Sequence, residues 1–390
     1  MSSTKSRIGF WFLYTTILLV FFYIGLVVVD ILIPRITSSD SIKASTTDNK
    51  YLQDSEQQKK ELVEQGFVKA INLAGIERHL ELKSVMKENS ALGISGYPNK
   101  DILYCNEGYG WQTYRSDRYG FRNFNKQYDT QVDVAIFGDS FIHGGCVPTE
   151  ATISQTMSKI SNTLGFGLGG SDPIHYAAMI NVMLPKVLPK QAGIAFYNND
   201  FNDSDRASIF YKFFVKDRNN ASNYFDSNGE LSLNITKYYD EIYRIYSKEA
   251  ALSNKRWPLS YWDILLKVEK YFLLNNIRAV LYNYYPEAIP LSGLSPSSKI
   301  AINELIRACD YHDCIPFITF LPHSNYWNPN YAYKYYEAQL KQYSKANGVK
   351  FISLKDVVDS NSRDDFAPRG GHYSIDTYQR VGMHIANQLQ

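Results

Sequence analysis

Two residues far apart in this chain could together make a nucleophile. Ser140 closes the stretch VDVAIFGDS, and His372 lies in GGHYS close to the C-terminal end of the sequence. A serine hydroxyl is a poor nucleophile at neutral pH and needs a base within hydrogen-bond reach. His372 can supply one if the C-terminal segment folds back over the same crevice, and its imidazole then needs an acceptor on the other nitrogen. Asp365 is the first choice for that acceptor, Asp364 the second, and a backbone carbonyl would leave a working dyad. His143 is the rival base. So few residues after Ser140, it is expected to point elsewhere. His175, His323 and His384 read as packing or surface residues.

The elements that must position these groups follow from hydrophobic patterning. Val132, Val134, Ala135, Ile136 and Phe137 form a short apolar run that stops at Gly138-Asp139-Ser140, as a buried parallel strand does. Ser140 then sits at the carboxyl end of a strand, where open α/β sheets place their ligands. Downstream the pattern alternates. Helices are expected at Pro148–Leu164 (N-cap Thr149), Ile174–Leu184, Ser298–Tyr311 and Tyr331–Ala346. Strands are expected at Ile194–Tyr197, Ile315–Leu321 and Val349–Leu354. Strands alternating with helices imply right-handed crossovers and a doubly wound parallel sheet. The region 203–296 interrupts this order with Asn-rich loops and an amphipathic helix, Ser260–Asn275, and reads as an inserted cap over the crevice.

The ordered blocks resemble those of the SGNH (GDSL-type) hydrolases. Gly138-Asp139-Ser140 after a strand matches the first block, and Gly165 to Pro173 (GFGLGGSDP) matches the Gly-rich second. In Gly193 to Asp200 (GIAFYNND), Asn199-Asp200 match the third, although Tyr197 stands where the family usually has glycine. His372 matches the last. DRYGFRN, ending at Asn123, also occurs before the first strand in similar proteins. The resemblance implies a flavodoxin-like three-layer α/β fold and esterase chemistry at Ser140 and His372. It further implies an oxyanion site made by the amides of Ser140 and Gly170 and the side chain of Asn199. No cofactor or metal is implied. One position departs from the family: its aspartate, two or three residues before the histidine, is replaced by Arg369 and Gly370.

The remaining sequence bounds where such a domain works. Ile8 to Val29 carries no charge and is long enough to cross a bilayer, with Lys5 and Arg7 before it. It has no small-x-small cleavage site after it, so a single-pass anchor with a cytoplasmic N-terminus and an extracytoplasmic domain (periplasmic or cell-surface) is expected. The segments divide as 1–36 anchor, 37–100 linker and helical stalk, and 101–390 hydrolase domain. Four cysteines in an exported chain permit two disulfides. Cys309 and Cys314 can close a short loop, which leaves Cys105 for Cys146. A metal at Cys309, His312 and Cys314 lacks a second ligand pair. With 41 basic and 39 acidic residues there is no nucleic-acid footprint. Tyrosine is abundant, at 31 residues, mostly for packing, although Tyr109–Tyr119 and Tyr326-Trp327 could line a sugar groove. The function expected is an O-acetyl esterase or acyltransferase on cell-surface carbohydrate such as an acetylated polysaccharide. The alternatives are a lipid esterase or thioesterase, and a catalytically silent polysaccharide-binding or assembly protein.

Overall fold

The computed structural model describes residues 2–37, 49–73, 80–201, 208–252, 277, 294–327 and 333–390. Helix α1, Ser2–Thr37, includes a span, Leu13–Leu32, of mean hydropathy 2.5, long and apolar enough to cross a membrane. Helix α2, Asn49–Glu64, leads through Gly66 into the two-residue strand β1, Val68–Lys69. Helix α3, Leu80–Asn89, follows. Strand β1 pairs in parallel with β2, Asp101–Leu103, which pairs in antiparallel fashion with β3, Thr113–Arg115. Two further backbone bonds, Tyr104 N to Gln112 O and Gln112 N to Cys105 O, extend this hairpin towards its tip. Val68, Leu73, Val85, Leu92, Ile94 and Tyr97 are buried in one cluster with the main sheet, so the packed core begins well before Asp101.

That main sheet is wholly parallel. Its strands are β4, Val134–Gly138; β5, Thr163–Gly167; β6, Gln191–Phe196; β7, Ile315–Phe320; and β8, Lys350–Ile352. They lie in the order β5-β4-β6-β7-β8. In this doubly wound order the direction of winding reverses at β4, and the crevice opens between β4 and β6. Alternation along β4 serves two faces. Ala135 and Phe137 join the cluster covered by α5, Pro173–Val187, and α7, Pro296–His312. Val134 and Ile136 join the cluster covered by α4, Ile153–Met157, and α9, Ile375–Leu389. Helix α8, Tyr333–Ala346, adds Leu340 to the first cluster. These helices and the sheet make the three layers expected.

Some boundaries moved. The helix expected over Pro148–Leu164 is only α4, capped by Thr152 rather than Thr149, because β5 starts at Thr163. Strand β5 was not anticipated: in TLGFG two glycines break the β-branched pattern by which strands are read. Pro185 lies inside the last turn of α5 instead of ending it. Of the insertion, the described part includes α6, Leu233–Leu252, whose Ile235, Tyr238, Tyr239 and Ile242 are buried at helical spacing in the α5-side cluster. Ser260–Asn275 lies outside the described residues.

Both disulfides expected from the cysteine count are formed, with Cα–Cα distances of 5.1 Å for Cys105–Cys146 and 4.5 Å for Cys309–Cys314. They close loops of very different length, with sequence separations of 41 and 5. In the chain-entropy account these constrain the unfolded state by about 4 and about 2 kcal/mol. Replacing each pair by alanine should therefore lower the denaturation midpoint more for Cys105/Cys146. The reverse order in guanidinium melts would contradict this assignment.

Candidate active site

Three strand ends converge on the site. Register aligns Gly138 of β4 with Gly167 of β5 and Ala195 of β6. Ser140, Gly170 and Asn199 therefore follow the carboxyl ends of three neighbouring strands, with Ser140 in the middle. After β4 the chain turns tightly. Asp139 Oδ1 accepts from Phe141 N at 2.9 Å, and Ser140 O accepts from Gly145 N at 2.8 Å. Strand β5 ends against the backbone of this turn: a Cβ on Gly167 would strike Asp139 O and the Ile142–His143 peptide. Only glycine permits that approach, which is why a Gly-rich block stands here.

His372 reaches Ser140 from the C-terminal segment. Its loop is fixed by Ala367 N to His372 O (2.8 Å), Ser374 N to Asp365 O (3.0 Å) and Tyr373 OH to Pro322 O (2.8 Å). Ser374 then caps α9. His372 Nε2 lies 2.8 Å from Ser140 Oγ. Its Nδ1 lies 2.8 Å from Glu107 Oε1, and its backbone N donates to Glu107 Oε2 at 3.1 Å. Because a carboxylate only accepts, Nδ1 carries the hydrogen and Nε2 is free to accept from the serine hydroxyl. Phe141 packs on the imidazole at 4.8 Å, and Tyr197 packs on Phe141 at 4.3 Å. The His372 and Glu107 side chains remain 21% and 18% exposed, so the site is open to a ligand.

The carboxylate at Nδ1 is thus not Asp365, the residue expected there. Asp365 accepts from Asp359 N at 2.6 Å and pairs with Arg380 at 2.6 Å, which holds the loop and leaves the ring alone. Asp364 is exposed. Glu107 comes instead from the tip of the β2–β3 hairpin, and its own carbonyl accepts from Arg369 N at 2.9 Å. The departure noted in the sequence explains how it fits. A Cβ on Gly370 would collide with the Glu107 carboxylate, so the glycine leaves the room that the glutamate fills.

His143 is buried, with Tyr114 OH 2.6 Å from Nε2 and Gly169 N donating to Nδ1 at 3.3 Å. Burial and the nearby Arg122 charge hold it well below the ordinary imidazole range, so it is a neutral strut. The DRYGFRN segment ties the same loops together. Buried Arg122 donates to the carbonyls of Gly144 (2.8 Å) and Val147 (2.7 Å). The Asn123 side chain exchanges hydrogen bonds with Gly165 N and O at 2.8 and 3.0 Å. Beneath Ser140, burial pushes Asp139 up to about 6 against the opposing hydrogen bond from Phe141 N, the His372 charge and the Asn199 side chain. Asp200 is pushed up further, by burial and by Asp139, while accepting from Tyr176 OH (2.8 Å) and Tyr197 N (2.7 Å). Gly170 and Asn199 are exposed on either side of the Ser140 turn.

No protein-family model matches the chain, and no curated protein matches it. Among solved structures, a protein described as lipolytic, of the G-D-S-L family, from Desulfitobacterium hafniense matches 66% of this chain and 98% of its own at 11% identity, with a TM-score of 0.36. A GDSL-like lipase from Bacteroides thetaiotaomicron matches 69% and 90% at 10% identity, with a TM-score of 0.34. An acylhydrolase from Bacteroides fragilis matches 69% and 96% at 11% identity, with the same TM-score of 0.34.

Burial alone would push the His372 pKa down; the Glu107 hydrogen bond and charge, with Asp139 behind them, raise it above the ordinary histidine value. A raised folded-state pKa means that the pairing stabilises the fold fully below the unfolded value near 6.5. That stabilisation is lost as pH rises through the folded pKa. In an NMR titration Glu107→Gln should bring the His372 pKa down, whereas Asp365→Asn should leave it in place. The opposite pattern would return the role to Asp365.

Proposed function

We propose that this chain is a membrane-anchored serine esterase or acyltransferase of the SGNH type that removes or transfers O-acetyl groups on extracytoplasmic carbohydrate. The observation that carries the proposal is the chain of 2.8 Å contacts from Ser140 Oγ through His372 to Glu107. In this reading His372 takes the serine proton as Oγ attacks the ester carbonyl, and Glu107 stabilises the imidazolium. The amides of Ser140 and Gly170 and the Asn199 side chain receive the oxyanion. His372 then protonates the leaving alcohol. Water completes hydrolysis, or a second sugar hydroxyl completes transfer, by the same steps in reverse.

The small acyl group is supported by Tyr197. A tyrosine ring packed on Phe141 occupies volume beside the nucleophile where the resemblance expects only glycine. An open, aromatic-edged site suits a carbohydrate better than a long acyl chain. Half-buried Tyr109 and Trp327 join the cluster that contains Phe141, whereas Tyr114 and Tyr119 of the same aromatic loop are buried packing residues. The apolar span in α1 and the two disulfides support an anchored, extracytoplasmic domain. Residues 38–48 can reach at most about 40 Å, which would keep the site close to the membrane surface. The silent-binder alternative drew its force from the missing aspartate, and Glu107 weakens that argument.

The test uses the full chain in detergent with p-nitrophenyl acetate, butyrate and octanoate and an acetylated glycan. Acetyl esters should be preferred. Ser140→Ala and His372→Ala should each lose about 10⁴-fold or more in kcat, and the double variant no more than either. Asn199→Ala should cost about 100- to 1,000-fold, mainly in kcat. Unchanged turnover in Ser140→Ala would end the enzyme reading, and a preference for octanoate would favour the lipid esterase.

A further inference from the structure

Glu107 sits at a hairpin tip that the stalk helix grips. On α2, Tyr51, Ser55 and Gln58 follow one another at i, i+4 and i+7 and so share a face. Tyr51 OH donates to Asn106 Oδ1 at 2.8 Å, and Asn106 Nδ2 donates to Ser55 Oγ at 3.1 Å. On the far side of Glu107, Trp111 N donates to Gln58 Oε1 at 3.1 Å and Trp111 Nε1 to Ser55 O at 2.8 Å. The acid is therefore bracketed by four hydrogen bonds to one helix, two at Asn106 and two at Trp111. A third link reaches the histidine loop: the Arg369 guanidinium lies 3.9 Å from the Tyr51 ring centre, while the Arg369 amide holds the Glu107 carbonyl.

We propose that α2, the next described helix after the apolar span of α1, is a positioning element of the active site, acting on His372 through Glu107. The inference rests on the esterase reading above. The physical argument is one of tolerance. A carboxylate delivered from a hairpin tip must be held to a fraction of an ångström to orient an imidazole, and its own backbone hydrogen bonds leave the tip to be fixed from outside. The helix supplies that restraint, so the segment that leads from the membrane also completes the catalytic geometry.

The experiment compares the full-length chain with the variant Tyr51→Phe/Ser55→Ala/Gln58→Ala, which keeps the ring beneath Arg369 and the helix itself. Acetyl ester turnover should fall about 10- to 100-fold with KM nearly unchanged. The rising limb of kcat/KM should move to lower pH, because the hold of Glu107 on His372 is loosened. In a Glu107→Gln background the same three changes should cost little, since their route runs through that carboxylate. The thermal midpoint should stay close to that of the parent. Wild-type turnover, or an equal loss in both backgrounds with the pH limb unmoved, would overturn the proposal. The His372 pKa, read by NMR in a Ser140→Ala chain, should fall towards the Glu107→Gln value and tests the linkage without turnover. Failure of the esterase reading would show separately, as an absence of Ser140-dependent hydrolysis in the parent chain.

Discussion

The contact between Glu107 and His372 is the constraint around which this structure is arranged. It joins residues 265 positions apart, and it needs three separate pieces of chain to arrive at one point. The parallel sheet supplies the Ser140 turn, the C-terminal segment supplies the imidazole, and the hairpin before the sheet supplies the carboxylate. A half-buried charge that lost its partner would carry a desolvation penalty, so the hairpin and the histidine loop stabilise each other's placement. The Cys105–Cys146 bond fits the same logic: it ties the hairpin, two residues from Glu107, to the turn that follows Ser140.

Much of this was legible in the sequence because it is local. Short apolar runs ending in Gly, Asn-Asp and Pro marked β4, β6 and β7 in turn, and the alternation with helices gave the parallel sheet. The cysteine count gave both disulfides. Ser140 and His372 were legible through their blocks. The carboxylate was not, because its partner is chosen by tertiary contact: of the two acids expected there, Asp365 holds the loop through Asp359 N and Arg380, and Asp364 is exposed. One signal was present: pairing Cys105 with Cys146 already brings residue 107 to the Ser140 turn, and a glycine at 370 where an acid was expected leaves a space to be filled. Strand β5 was hidden for a different reason. Gly167 serves the close approach of β5 to the Ser140 turn and Gly165 that of β5 to Ser154, so the close packing that shapes the site also erases the strand pattern.

Moving the acid from the histidine loop to a hairpin changes what the rest of the chain has to do. An acid two residues before the histidine is placed by the same loop that places the ring. Here the two are placed independently, and the segment between Asp101 and Asn123 becomes structural support for the contact between Glu107 and His372. Its Arg122 holds the Ser140 turn and its Asn123 the middle of β5 at Gly165, its Cys105 is covalently fixed, and its tip carries Glu107. Glutamate rather than aspartate is the suitable side chain, since the extra methylene spans the gap over Gly370 while the hairpin backbone stays bonded to Arg369 N. The buried tyrosines of this segment, Tyr114 and Tyr119, brace it against the sheet, which accounts for much of the aromatic content that a sequence reader would assign to ligand binding. A segment that looks like a spacer between the apolar span and the sheet is therefore part of the Ser140–His372–Glu107 constellation, and its composition follows from the carboxylate it has to present.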